Sequence, residues 1–289
     1  MITIKNQCLK VEINEKGGCL NSIQKDGYEY LWQGSEDSWT GKDVAIFPFI
    51  ARLKDGNYFV DGVEYKMKNH GLCRYATLNV VDQSENGVSL NLTANEDTLS
   101  QYPYKFSFTA KYALDGAKLT VEYIVNNIDN KNIYFGIGGH PAFNIPFVRE
   151  NDLDNIDGNT IVFEKEINPK NYYLDENGSF ITHKGDFEKL TKINLSKSIF
   201  QKYKTLMFTD EKINKVQLIK KDGKNVTMQL NNPKTVAIWT KEKFGGYICI
   251  EPWNGIPDLA NPQKELSKKD GINSLAPNGI YKFSYSIEV

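Results

Sequence analysis

An excess of charge of either sign is missing. The chain sets 35 basic residues against 36 acidic ones across 289 positions, for a formal net charge of -1. Without a basic patch or stripe, nucleic acid and anionic membrane surfaces are excluded as expected partners. Long apolar runs are missing as well. The start, Met1-Ile2-Thr3-Ile4-Lys5-Asn6, has no signal-peptide core and no later stretch approaches a membrane span, so the expectation is a soluble, cytoplasmic protein. The four cysteines, Cys8, Cys19, Cys73 and Cys249, form no C-x-x-C pair and read as small buried hydrophobes in a reducing compartment. No H-E-x-x-H, H-x-H or cysteine-histidine spacing calls for a metal. The sequence also lacks a P-loop and a G-x-S-x-G elbow. Gly136-Ile137-Gly138-Gly139 lacks the third glycine and the following helix of a dinucleotide loop. No cofactor is expected.

Helical periodicity is scarce, with a short turn at Glu96 to Gln101 and a loosely helical stretch at Asp186 to Lys192 as the best candidates. What the chain does have is Asp-Gly turns flanked by alternating apolar residues, the mark of β-hairpins. Around Asp115-Gly116, Phe106, Phe108, Ala110, Tyr112 and Leu114 alternate on one arm and Leu119, Val121, Tyr123 and Val125 on the other. Tyr58 to Val60 and Val63 to Met67 flank Asp61-Gly62, while Val216 to Ile219 and Val226 to Leu230 flank Asp222-Gly223. A strand at Thr235 to Thr240 follows. Alternation at Leu9, Val11, Ile13 and again at Phe283, Tyr285, Ile287, Val289 ties both termini into sheets. The expectation is all-β: one large antiparallel structure of two strand layers, a single domain over 1–289.

Two segments share one grammar. After strand-like Ile133 to Phe135 comes Gly136-Ile137-Gly138-Gly139-His140-Pro141-Ala142-Phe143, and after strand-like Tyr247 to Ile250 comes Glu251-Pro252-Trp253-Asn254-Gly255. Each places one ionisable side chain directly before a proline, which keeps it out of helical geometry. The glycines let the backbone come close to a bound ligand. A carboxylate closing the apolar strand Tyr247 to Ile250 is partly desolvated, which raises its pKa and makes it a better base. Trp253 beside it can wall a sugar ring. Only three arginines occur, Arg52, Arg74 and Arg149. Two of them fall in the short motifs Phe47-Pro48-Phe49-Ile50-Ala51-Arg52-Leu53 and Asn69-His70-Gly71-Leu72-Cys73-Arg74, which points to bidentate contacts.

Taken together, and in this order along the chain, these four motifs resemble the aldose 1-epimerase (galactose mutarotase) family, nearest its LacX-like branch. The resemblance implies a large antiparallel β-sandwich of the galactose mutarotase type, a hexose-binding cleft and neither metal nor organic cofactor. It implies His140 as general acid, Glu251 as general base, and Arg52 and His70 as holders of sugar hydroxyls, with Asp210 of Phe208-Thr209-Asp210 as a further substrate contact. The expected partner is a small-molecule sugar, bound by a monomer or homodimer.

The expected reaction opens the pyranose: Glu251 takes the anomeric hydroxyl proton while protonated His140 donates to the ring oxygen, which predicts a bell-shaped pH profile. The run Asn69 to Arg74 is closer in style to hexose-6-phosphate epimerases. That leaves open a phosphorylated hexose held by Arg74 with Arg52 or Lys54. A carbohydrate-binding or regulatory module without turnover is the alternative from another class.

Overall fold

A computed structural model describes the backbone of residues 1–150, 153–241 and 246–289, and the side chains of these except residues 148–155. Among the described residues the structure is antiparallel β with two short helices, Glu96–Gln101 and Lys197–Tyr203.

The long hairpin Phe106–Asp115 and Lys118–Asn127 pairs over its whole length, from Phe106 opposite Asn127 to Asp115 opposite Lys118. Its two-residue loop is Gly116-Ala117, and Gly116 has φ +57°, the value that a first-position glycine supplies in tight hairpins. Every apolar residue of the alternating series is buried, while the intervening positions are exposed or half-buried. This hairpin forms the sixth and seventh strands of a nine-stranded sheet ordered Leu190–Asn194, Thr160–Ile167, Lys215–Ile219, Val226–Leu230, Ile280–Glu288, Lys118–Asn127, Phe106–Asp115, Gly87–Thr93, Asn79–Gln83. One face is packed and the other meets water, as period-two sequences dictate.

The second large sheet has eight strands. It runs Ile181–Asp186, Lys170–Leu174, Thr205–Thr209, Thr235–Trp239, Tyr247–Asn254, Ile137–Gly139, Ala45–Ile46, with Ala142–Asn144 also paired to Tyr247–Asn254. All eight residues of Tyr247–Asn254 are buried. Ile248 and Ile250 join Phe106, Phe108, Tyr123 and Phe283 in the main core between the sheets. The alternate residues Tyr247, Cys249 and Trp253 pack into smaller clusters on the opposite face, with Trp32, Trp39 and Trp239 against Tyr247 and Cys249. A four-stranded sheet, Ile2–Lys5, Lys10–Asn14, Cys19–Lys25 and Tyr28–Glu29, holds the N-terminus, and the C-terminal strand lies inside the nine-stranded sheet.

Two expectations change. Asp186 to Lys192 is not helical: it joins the end of Ile181–Asp186 to the start of Leu190–Asn194. Phe187, Leu190 and Ile193 mimic helical spacing, but pairing of Ile193 with Ile161 and packing of Phe187 on Tyr203 and Phe208 hold the segment extended. The helix lies further on, at Lys197–Tyr203, where two turns bury Phe200 alone and leave almost no periodic signal. The strand expected to stop at Ile250 continues to Asn254, through Glu251 and Pro252.

Candidate active site

The register explains how two widely separated residues meet. Ile137 lies opposite Asn254 and Gly138 opposite Trp253; beyond the break, Ala142 lies opposite Cys249 and Phe143 opposite Ile248. The register is therefore unbroken, and it sets His140 directly across from Glu251. The Ile250 N–H donates to Pro141 O at 3.3 Å. Ile250–Pro141 and, two residues on, Pro252–Gly139 are thus the hydrogen-bonding pairs, and His140–Glu251 is the close, non-hydrogen-bonded pair between them. Pro141 and Pro252 each lack an N–H, so the ladder is thinned on both sides of the His140–Glu251 pair. Residues facing each other in such a pair project from the same face of the sheet.

The glycines before His140 serve the protein's own packing. A Cβ on Gly138 would lie 2.5 Å from the Trp253 ring, and one on Gly139 would lie 2.5 Å from Tyr285. They let strands and sheets approach, in place of the expected clearance for a ligand.

His140 is 6% and Glu251 2% exposed. His140 Nε2 lies 3.3 Å from Glu251 Oε2. The contact is close without being an aligned hydrogen bond, since Glu251 Oε2 and His140 Nδ1 have no hydrogen-bond partner. Burial dominates both titrations: it pulls His140 down to about 3 and pushes the Glu251 carboxyl well above its ordinary 4.5. Burial thus favours the uncharged form of each group, a neutral imidazole and a protonated carboxyl.

Arg52 and His70 come from two segments zipped together. Phe47 O accepts the N–H groups of Leu72 and Cys73 at 2.9 and 3.1 Å, and the His70 N–H reaches Ala51 O at 2.8 Å. Gly71 makes this approach possible, because a Cβ there would lie 2.2 Å from Phe47 O. Ala51 and His70 have φ of +51° and +63°, a costly backbone region for residues with a Cβ, held by these paired contacts. The Ala51 N–H donates to His70 Nδ1 at 3.3 Å. That bond assigns the proton to Nε2, making His70 a neutral donor. Burial keeps His70 well below its ordinary 6.5. Its ring lies 5.2 Å from that of His140, nearly perpendicular at 82°. Behind this loop the buried pair Lys269–Asp258, at 2.5 Å, uses its second carboxylate oxygen to accept the Lys54 N–H at 2.9 Å.

Arg52, His70, Arg74, His140, Glu251 and Trp253 all line one cavity of about 510 Å³, together with Asn177, Gly178, Ser179 and Thr205. Two further walls went unnoticed in the sequence, Trp39 and Trp239. The Trp39 ring lies 5.1 Å from His140, tilted 31°, and Trp239 meets His140 edge-on at 5.8 Å. Asp43 was missed too. It is 4% exposed, accepts the Leu20 N–H at 2.9 Å and faces the backbone N–H groups of Val44 and His140, with burial pushing it up to about 6. Its signal was an acid heading the apolar run Val44 to Phe49. Asp210 is placed elsewhere. It pairs with Lys184 at 2.8 Å, with a side chain 44% exposed, and borders a separate cavity of about 470 Å³ with Thr209, Lys234 and Gly255. Lys54 points its ammonium over Phe180, 4.7 Å from the ring centre. Among the described residues, the ligating atoms of His140, Cys249 and Glu251 converge within 4.8 Å of one another. No described helix is long and apolar enough to cross a membrane.

The aldose 1-epimerase family profile matches residues 1–287. Protein LacX, chromosomal, of Lactococcus lactis subsp. lactis is 27% identical over a 305-residue alignment covering 100% of this chain and 99% of that protein. Among solved structures, a galactose mutarotase related enzyme from Lactobacillus acidophilus is 28% identical with a TM-score of 0.90, over 99% of this chain and 96% of the other. A galactose mutarotase-like protein from Lactobacillus casei is 25% identical with a TM-score of 0.91, over 100% and 99%.

Proposed function

Since the chain belongs to the aldose 1-epimerase family, we propose that it interconverts the α and β anomers of a hexose, with Glu251 and His140 as the proton-transfer pair. The observation that carries this reading is the buried, unaligned contact of His140 Nε2 and Glu251 Oε2, 3.3 Å apart, in a cavity walled by tryptophans. A pyranose fits such a site. Its C–H faces lie against Trp39, Trp239 or Trp253, and its hydroxyls accept from His70 Nε2–H and Arg52.

The proton inventory closes. In the uncharged form that burial favours, the pair holds one proton, on the carboxyl. Moving it to the imidazole gives ionised Glu251 and charged His140 without exchange with solvent. A sugar whose anomeric hydroxyl donates to the carboxylate, and whose ring oxygen accepts from the imidazolium, stabilises that arrangement. Glu251 then removes the hydroxyl proton, His140 protonates the ring oxygen and the C1–O5 bond breaks. Rotation about C1–C2 presents the other carbonyl face. Reclosure reverses both transfers, and the pair again holds one proton. Each group contributes about a hundredfold or more.

Polarimetry with freshly dissolved α-glucose and α-galactose tests this. The expected result is equilibration far above the spontaneous rate; saturable sugar binding at the spontaneous rate would instead establish a non-catalytic carbohydrate-binding module. A second substrate reading has its own observation: among the described residues neither Arg52 nor Arg74 meets a carboxylate at ion-pair distance, although both border the cavity. Two open guanidinium forks suit a hexose 6-phosphate. In that case Arg74→Ala raises KM for the phosphorylated sugar alone, and inorganic phosphate competes.

A further inference from the structure

Cys249 sits two residues before Glu251 on the same face of the strand and takes no part in the proton transfers. Its thiol is fully buried, and its sulfur lies within 4.8 Å of the ligating atoms of both His140 and Glu251. We propose that His140, Cys249 and Glu251 form a binding site for a thiophilic divalent cation of the Zn²⁺ class, and that occupancy of this site switches the enzyme off.

The donor set is one imidazole nitrogen, one sulfur and one carboxylate oxygen, the mixture that favours Zn²⁺ over the hard cations Mg²⁺ and Ca²⁺. The spacing suits it as well. Bonds of about 2.0–2.3 Å place tetrahedral ligand atoms roughly 3.3–3.7 Å apart, and His140 Nε2 and Glu251 Oε2 already stand at 3.3 Å. Small rotamer changes draw in the sulfur. A second observation points to a ligand here: Glu251 Oε2, which faces His140 Nε2, is a buried carboxylate oxygen without a hydrogen-bond partner. Three ligands leave the fourth position facing the cavity, open to water. Binding releases the thiol and carboxyl protons to solvent. The bound cation then occupies the imidazole and carboxylate lone pairs that proton transfer requires.

The inhibition rests on the proposed epimerase activity, whereas the binding does not, so the test reads them separately. The protein is stripped with chelator and titrated with Co²⁺, a spectroscopic stand-in for Zn²⁺. The expected result is one equivalent bound, with a near-ultraviolet sulfur-to-cobalt charge-transfer band that Zn²⁺ bleaches. The band disappears in Cys249→Ser, although Cys8, Cys19 and Cys73 remain. In polarimetry, Zn²⁺ inhibits the parent protein, Mg²⁺ does not, and Cys249→Ser retains parental turnover with about tenfold or greater loss of Zn²⁺ sensitivity. Cys249→Ala serves if the serine variant folds poorly. Absence of the band in the parent protein, its survival in both variants, or equal Zn²⁺ inhibition of parent and variants overturns the proposal. A cysteine-dependent band in a protein without mutarotation would sustain the metal site and count against the epimerase reading alone.

Discussion

The nine-stranded and eight-stranded sheets share one core but are built by different rules. In the first, strands run up to ten residues, alternate cleanly and show one face to water. In the second, the central strand is buried on both faces, carries Glu251 and Pro252 in its interior, and pairs along one edge with Thr235–Trp239 but along the other with two strands of only three residues each. The regular sheet supplies apolar burial. The irregular one uses that stability to hold buried ionisable groups, His140 and Glu251, which cost folding energy where they stand.

The largest expected effect tests this division directly. Glu251→Gln and His140→Asn should each reduce kcat by about a hundredfold or more while circular dichroism and melting stay cooperative. Near-parental turnover in either variant would remove the chemistry from the eight-stranded sheet. On the other side of the comparison, Phe108→Ala should destabilise the protein by about 3–5 kcal/mol, read by urea denaturation, with kcat of the folded fraction unchanged. A selective loss of kcat there would mean that the two sheets are not separable.

Titration sharpens the contrast further. Burial draws His140 down to about 3 and raises Glu251 well above 4.5, so it favours the uncharged pair, which carries a single proton. The acid limb of kcat/KM appears only as His140 takes a second proton, and the alkaline limb as Glu251 loses the first. An inflection at the ordinary imidazole value of 6.5 would contradict the burial argument. Stability follows with definite signs. For Glu251 the folded pKa is raised, so its contribution is intact below 4.5 and is lost as pH rises through the folded value. For His140 the folded pKa is depressed, so stability is lost as pH falls from 6.5 towards about 3. Glu251→Gln should therefore melt above the parent by a margin that grows with pH. The smallest effect belongs to Asp210→Asn. With its exposed Lys184 pair contributing at most about 1 kcal/mol, this variant should leave both kcat/KM and melting near parental values; a large rise in KM would bring Asp210 back to the sugar.

The regular sheet was the more legible one, and the reason is local. Hairpins announce themselves through neighbouring residues: Asp115-Gly116 and Asp222-Gly223 each join arms that pair within it, and Asp61-Gly62 joins the arms of a separate two-stranded hairpin. In the irregular sheet, the sequence pointed to His140 and Glu251 through a shared X-Pro pattern, without revealing the constant register that sets them face to face. Trp39, Asp43 and Cys249 were not singled out as site neighbours because nothing adjacent to them in the chain announces where they converge. Asp210 illustrates the converse, a residue named through resemblance that the fold puts beside another cavity. The glycines of 136–139 were noticed for the wrong reason: what they accommodate is Trp253, Tyr285 and Ile50.

The paired prolines have one more consequence. Backbone amides are what allow two adjacent strands to zip shut, and at Pro141 and Pro252 nitrogen has no hydrogen to offer. A residue with an N–H at either place would restore a rung and pull the strands towards ordinary pleating, turning the imidazole or the carboxyl out of line. The gap between the strands at His140 and Glu251 is thus kept open by bonds the chain is chemically unable to form, a safeguard that no rearrangement of side chains can undo.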